Sequence, residues 1–544
     1  NWALMGSRTA SGKPLVAGDP HRPLDTPNVY YQNHIACPEF DAIGLSFPGC
    51  PGFPHFGHNA HVAWCVTHAQ ADYQDLYIER FKDGSLDYYQ WKDNWRAADL
   101  HLETIRSKSG KSIDLEVIVT HHGSIIIDDP SSNYGIAFKH SGTSSPNKWS
   151  QCLPQMLRSR SVKDMDEAML EWVDPGNNFV FADVTGNVEY LNRGRLPVRP
   201  DLNHWLPVPG SSGEYEWEGF VPFEEQVRIK NPETGYIVTA NNKIAPDSYP
   251  HYIALHFSPE YRARSIKNLL DKLNKATVED MLSIHAEARS IPAQVYTKII
   301  GQIEPQDEIS ARGKAELEGW DGTMDKNSIA PTIYSAFKRE LEWMLLEHHL
   351  GPMIGEALSS TGRGGPMHLA QMRASFVTAA ENSDSTILPN GQDWNSVAAT
   401  ALSNGMTWLK VTLGDQIDTW QWGRVHSTKP QHTLSATFQA LAPLLDPPSV
   451  PMNGDGDTPH AGSYAQTDPF TVNGCSTARY VFDLSDWDNS RWVTPLGSSG
   501  HPGSQHYSDQ TPIWAAGEVL PMLYDWDKIR EEAQDIQQLK KRVR

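Results

Sequence analysis

The chain has 544 residues and a formal net charge of −20, from 66 acidic and 46 basic side chains. That balance excludes a nucleic-acid surface, because phosphate binding needs a basic stripe and the closing LKKRVR is the only such run. No segment approaches the ~18 continuous apolar residues of a membrane span, so neither nucleic acid nor a membrane is expected as a partner.

Cys37, Cys50, Cys65, Cys152 and Cys475 form no C-x-x-C pair, which argues against a zinc site or a dense disulfide framework and leaves one disulfide open. From Asn1 to about Ile253, short β-rich runs are bounded by Gly, Pro, Asp and Asn: KPLVAG, FDAIGLSFPG, HVAWCVTHA, SIDLEVIVTHHGSIIID, NNFVFADVTGNVEYLNRG and GYIVTANN. In FVFADVTGNVEYL, Thr185-Gly186-Asn187 predicts a hairpin turn.

From about Pro259 the apolar spacing becomes helical. In YRARSIKNLLDKL, Ile266, Leu269, Leu270 and Leu273 share a face, and Arg262, four residues before Ile266, points the same way. Thr277 is placed to cap the next helix, with Asp280 in its first turn. PTIYSAFKRELEWMLLEHHL continues the helical text, and APLLDPPSVPMNGDGDTPHAGSY reads as a long loop. Strand signals return in TARYVFDLSD and RWVTPLGSSG. A closing amphipathic helix over 526–544 would carry Ile529, Ala533 and Ile536 on one stripe. The whole reads as one α+β unit, 1–544, with a sheet-rich core over 1–275 and 377–525 and a helical excursion over 276–376.

The chain contains no G-x-S-x-G elbow, P-loop, H-E-x-x-H or dinucleotide fingerprint. Four features remain: GDPHRP, FGHNAHVAWCVTHAQADYQD, TANNK and Arg262. Singly each has a plain structural reading: His21 capping a turn, Asn241 and Asn242 forming one, Arg262 bridging a buried carboxylate.

Taken together and in order, the text resembles the β subunit of the penicillin acylase family of N-terminal-nucleophile amidohydrolases, which includes cephalosporin, glutaryl and acyl-homoserine lactone acylases. The matching phrases are NWALMGSRTASGKPLVAGDPH, FPGCPGFPHFGHNAHVAWCVTH, THHGSIII, FVFADVTGNVEYLNRGRLPVR, LPVPGSSGEYEWEGFVPFEEQ, GYIVTANNK, YRARSI and SSGHPGSQHYSDQTPIW.

The resemblance implies a four-layer αββα sandwich and cleavage of an N-acyl small molecule through an acyl-enzyme. In such enzymes a precursor cuts itself and the β chain begins with Ser. Trp2 after Asn1 matches that pattern with the Ser expected two residues before Asn1. An N-terminal Ser supplies both a hydroxyl and an α-amine titrating near ~8, so one residue holds nucleophile and base.

By the same resemblance the backbone N–H of His68 and the side-chain amide of Asn241 would hold the oxyanion. His21 would orient the Ser, and Arg262 would support Asn241. Arg22, Tyr31 and His55 would contact substrate. Arg22 and His55, two basic groups in a pocket that is usually apolar, suggest a succinyl or glutaryl acyl group; if Arg22 only covers the rim, a long aliphatic or aromatic group fits equally well. No cofactor is expected for the chemistry. Asp72 and Asp75 match carboxylates that hold a structural calcium in some relatives, the alternative being ordinary surface acids, and the further acidic ligand falls near Ile253, with Asp247 displaced. A smaller α subunit from the same precursor and a periplasmic or secreted location are further expectations. Two rivals stand beside this: a non-catalytic binding relative, and a carbohydrate-active enzyme suggested by the Trp and Asp of FDLSDWDNSRW.

Overall fold

A computed structural model describes residues 1–50, 54–129, 131–143, 146–201, 205–358, 367–465 and 467–540. Two antiparallel sheets carry the first half of the chain and its return near residue 480. One runs, in spatial order, Tyr236–Val238, Trp2–Leu4, Leu15–Gly18, Arg479–Asp483, Arg491–Val493 and Leu520–Pro521. The other runs Arg228–Lys230, Val188–Arg193, Asn177–Asp183, Val62–His68, Phe56–Asn59, Phe40–Ser46 and Tyr31–Cys37.

The period-two alternation of a strand assigns each side chain its face. Ala3, Val16, Tyr480 and Phe482 join Phe56, Trp64, Val66, Phe179 and Phe181 in one buried cluster, with the Phe56 and Tyr480 rings stacked at 5.3 Å. The intervening residues Trp2, Leu4, Leu15, Ala17 and Val481 face the other way, against Ala263, Ile266, Leu270, Met281 and Ile284 of the helices Tyr261–Leu270 and Val278–His285. Each large apolar side chain buried there contributes on the order of 2 kcal/mol relative to exposure. The helices Cys152–Arg158 and Val162–Ala168 bury Met156, Leu157, Val162 and Met165 in the same cluster as the seven-stranded sheet.

Local chemistry explains several boundaries. The predicted hairpin is present: Ala182 pairs with Val188, and Gly186 at φ 109° takes the turn position that suits glycine. Thr277 and Asp280 form a reciprocal capping box, Thr277 N–H donating to Asp280 Oδ2 at 2.8 Å.

Two predicted boundaries are corrected. Helical text extends from Tyr261 to Leu413, well past 276–376, because Met367–Glu381 and Trp394–Leu413 close a separate core with Ala330–Leu350. Residues 377–413, read as sheet-rich, are therefore helical apart from a short connection, and strands of the two large sheets resume only at Arg479–Asp483. The closing helix covers only Trp526–Glu532; Ala533 is extended and Ile536 is exposed, so no apolar stripe is buried to carry it further. Residues 541–544 of that prediction lie outside the described residues. All five cysteines are free thiols. Among the described residues no helix is long and apolar enough to cross a membrane.

Candidate active site

A cavity of about 590 Å³ opens where the two sheets part, and Asn1, His21, His68, Asn241 and Arg262 all line it. Strand register sets what His68 offers. Ala69 N–H donates to Gly176 O at 3.1 Å, so the N–H and C=O of His68, one residue earlier, point away from the Asn177–Asp183 strand and toward the cavity edge. Two contacts on that edge agree: Asn1 Nδ2 donates to Val66 O at 2.7 Å, and Asn241 Nδ2 to His68 O at 2.9 Å.

The His68 ring has a local task. Its Nδ1 accepts Gln70 N–H at 3.0 Å, and Gln70 itself sits at φ 58°. Burial lowers the ring's pKa, which keeps it a neutral acceptor.

Asn241 follows the short strand Tyr236–Val238 at φ 64°, a left-handed conformation that Asn tolerates better than most residues. Its amide orientation is fixed by Arg262, whose Nη2 donates to Asn241 Oδ1 at 3.0 Å and to Ala240 O at 2.8 Å. A guanidinium carries only donors, so the oxygen must face Arg262 and the NH₂ must face the cavity side, where one N–H meets His68 O. Arg262 Nη1 also donates to His21 Nδ1 at 3.2 Å, which makes Nδ1 the acceptor and leaves the ring proton on Nε2. Arg262 reaches all three because it begins the Tyr261–Leu270 helix on the inward face that its spacing predicted.

Asp19 was not singled out in the sequence, although the GDPHRP phrase contains it. Its Oδ2 lies 3.3 Å from His21 Nε2, with both carboxylate oxygens buried. Burial pushes the Asp19 carboxyl up, but His21 and Arg479 outweigh it and hold it well below the usual carboxylate range. For His21 burial dominates in the other direction, lowering its pKa despite Asp19. His285, its ring tilted against Trp2 at 4.7 Å, is neutral too, pushed down to about 3 by burial. The signal for Asp19 was its position two residues before His21 at a strand end; its partner Arg479 is 460 residues away and gave none.

One side of the cavity is aromatic, walled by Tyr30, Phe47, Phe56, Trp149 and Trp172. Strand alternation sends Tyr31 outward, half exposed and away from this cavity, while Tyr30 is buried in its wall. His55 lines the wall, stacked on Tyr30 at 6.2 Å, and burial with the Arg22 charge pushes its pKa down to about 3. The pair expected to be basic therefore holds one cation. Arg22 is exposed at the rim, its guanidinium carbon 5.3 Å from the Phe47 ring centre, with no carboxylate paired to it among the described residues.

Asp72 and Asp75 do come together, but around a side chain. Arg199 Nε lies 2.8 Å from Asp75 Oδ2, and Arg199 Nη2 lies 3.2 Å from Asp72 Oδ1. Their inward oxygens face a guanidinium. Asp247 is spent on Lys243 at 2.5 Å and lies on the surface. In FDLSDWDNSRW the carboxylates serve turns: Asp483 accepts from Ser485 and Asn489, Asp486 caps a helical turn, and Asp488 accepts from Tyr524 and Lys528. None faces a partner carboxylate across a cleft.

The sequence profile described as Penicillin amidase matches residues 1–531. The chain is 37% identical over 543 residues to the penicillin acylase 2 proenzyme of Pseudomonas sp. strain SE83, covering 99% of this chain and 68% of that protein. It is 26% identical over 561 residues to the acyl-homoserine lactone acylase QuiP of Pseudomonas aeruginosa, covering 96% of this chain and 66% of that one. The chain thus spans about two thirds of the length of these relatives. The solved thermostable penicillin G acylase from Alcaligenes faecalis superposes with a TM-score of 0.75 at 20% identity, covering 100% of this chain and 99% of that one, which shows a shared fold.

Proposed function

The chain belongs to the penicillin amidase family, and from that premise we propose that it is the larger subunit of an acylase that hydrolyses the amide bond of an N-acylated small molecule. The observation that carries the proposal is the convergence, at one cavity edge, of the His68 N–H and an Asn241 amide whose orientation Arg262 fixes. Preorganised donors aimed at one point are what a tetrahedral oxyanion needs, and each is worth roughly 3 kcal/mol of barrier. The stacking of helices, two sheets and helices supports the four-layer αββα arrangement of N-terminal-nucleophile hydrolases.

In this reading the nucleophile is a Ser two positions before Asn1. The Asn1 backbone continues the sheet, Thr239 N–H donating to Asn1 O at 2.9 Å, and Asn1 lines the cavity, so a Ser about 7 Å of extended chain earlier lies close to it. The Ser α-amine takes the hydroxyl proton as Oγ attacks the amide carbonyl. His68 N–H and Asn241 Nδ2 hold the oxyanion, and the proton passes to the leaving nitrogen as the C–N bond breaks. Water then repeats the attack on the ester and releases the acid. His21, neutral and held by Arg262, orients the Ser. The proenzyme naming of the Pseudomonas SE83 relative supports a precursor that also yields a smaller α subunit, and we place the enzyme in the periplasm or outside the cell on the family resemblance.

For the acyl group, the aromatic wall favours an apolar body, and Arg22 at its rim, which meets no carboxylate among the described residues, favours a terminal carboxylate, as in a glutaryl chain. The test is turnover of matched glutaryl, aliphatic and phenylacetyl amides by the processed enzyme and by Arg22→Leu. Cleavage of any of them supports the amidase reading. A loss confined to the glutaryl amide, of about tenfold or more for one charge-assisted contact, supports the dicarboxylic preference; equal losses on all three remove it. Failure of the wild type on every N-acyl amide, with an N-terminal Ser verified by intact mass, would refute the function.

A further inference from the structure

We infer that Arg199 takes the place of a structural cation between Asp72 and Asp75, and that it fixes the segment behind His68 without metal. Arg199 is 4% exposed at its side chain. Its guanidinium meets Asp75 Oδ2 through Nε at 2.8 Å, Asp72 Oδ1 through Nη2 at 3.2 Å and the Asp72 carbonyl through Nη1 at 3.0 Å, with a longer contact from Nη2 to Gln74 O at 3.4 Å. Trp217 Nε1 donates to the same Asp75 oxygen at 2.5 Å, and the Trp217 and Tyr252 rings each lie 5.7 Å from the Arg199 guanidinium carbon. A calcium ion requires six to eight oxygens at 2.3–2.6 Å. Here the oxygens that would serve converge on a buried positive charge, and a divalent ion brought among them would meet that charge at short range.

The surroundings complete the case. The chain that would supply another acidic ligand presents Tyr252 and Ile253 instead. Tyr252 Oη donates to Asp72 Oδ2 at 3.2 Å, and Ile253 O accepts Asp72 N–H at 2.8 Å. A phenol that donates to a carboxylate suits a salt bridge and not a metal shell. Asp72 lies two residues beyond the Gln70 turn that His68 closes, and Asp75 lies in the strand Gln74–Arg80. Arg199 therefore ties the stretch leading out of His68 to the Pro197–Val198 strand beside it. It is a positioning residue: it touches no reacting atom, and it acts through the backbone that aims the His68 N–H.

The experiment uses the processed, full-length enzyme. Metal content after desalting, melting temperature and turnover of a chromogenic N-acyl amide are measured with and without chelator and added calcium, for the wild type, Arg199→Ala and Arg199→Lys. The expected result is substoichiometric calcium in the wild type and no response of its melting temperature or kcat to chelator. Arg199→Ala should lose roughly 10- to 100-fold in kcat with KM little changed, the scale of a misaimed catalytic group, and Arg199→Lys should recover part of that loss. Stoichiometric calcium in the wild type, or a melting temperature lowered by chelator, would overturn the inference, as would Arg199→Ala with undiminished kcat. If Arg199→Ala does not fold, the wild-type metal content and Arg199→Lys still decide. The metal and melting readouts do not depend on the amidase reading, so the two can fail separately.

Discussion

Replacing Asn241 tests the oxyanion assignment directly. Asn241→Gly removes the side-chain amide while leaving a backbone at φ 64° that glycine adopts without strain. Asn241→Ala removes the same amide but adds a left-handed alanine, about 1 kcal/mol of backbone cost that appears in stability and not in the chemical step. Loss of one preorganised donor should cost roughly 3 kcal/mol, or about 10²- to 10³-fold in kcat, in both variants. KM should stay within a few-fold, because the donor meets charge that develops only in the transition state. Asn241→Asp keeps the 3.0 Å contact to Arg262 but offers an acceptor where the oxyanion forms, so its kcat should fall further than that of Asn241→Gly. The assay is steady-state cleavage of a chromogenic N-acyl amide with active sites titrated, alongside thermal melting. Asn241→Gly with kcat within a few-fold of wild type would refute the oxyanion role; a matching rise in KM would mean that Asn241 binds substrate and transition state alike.

Two further outcomes follow from buried charge. Asp19→Asn should lower the melting temperature, because it removes a carboxylate charge that favours the charged form of the buried Arg479, and it should slow kcat through a misoriented His21; melting curves and kinetics that match wild type would dismiss both effects. His122 is held between Glu79 Oε1 at 2.7 Å and Glu216 Oε1 at 2.6 Å. Burial alone would lower its pKa, but the two carboxylates raise it above 6.5. A raised folded value means that the stabilisation is complete below pH 6.5 and is lost as pH rises through the folded pKa. Melting temperature should therefore fall across that alkaline window in the wild type and fall less in His122→Gln; parallel curves would contradict the assignment.

Much of the local architecture was legible because it depends on neighbours in sequence. The Thr277–Asp280 cap, the hairpin at Gly186 and the inward face shared by Arg262 and Ile266 each follow from spacings of three or four residues, and each is present. The helical boundary at 376 failed for a complementary reason. Residues 394–413 have the alanine-rich pattern of a buried helix, and only docking on Ala330–Leu350 decides that they extend the helical core. Tyr31 failed by one residue, which in a strand reverses the face.

The site divides along the same line. His21, His68, Asn241 and Arg262 were found through phrases that resemble a family, not through their own chemistry, because the contacts that join them span up to 241 residues. Asp19 and Arg199 escaped for that reason: each is an ordinary residue until folding brings it to a charge more than 120 positions away. For Asp72 and Asp75 the resemblance pointed to a cation, and the contact that the structure adds is Arg199. Asp72 and Asp75 lie three residues apart where the strand Gln74–Arg80 begins, and the Arg199 guanidinium meets both. Two carboxylates in register require a positive partner. They do not specify whether it is an ion or a guanidinium, and only the side chain that reaches them from the neighbouring strand does.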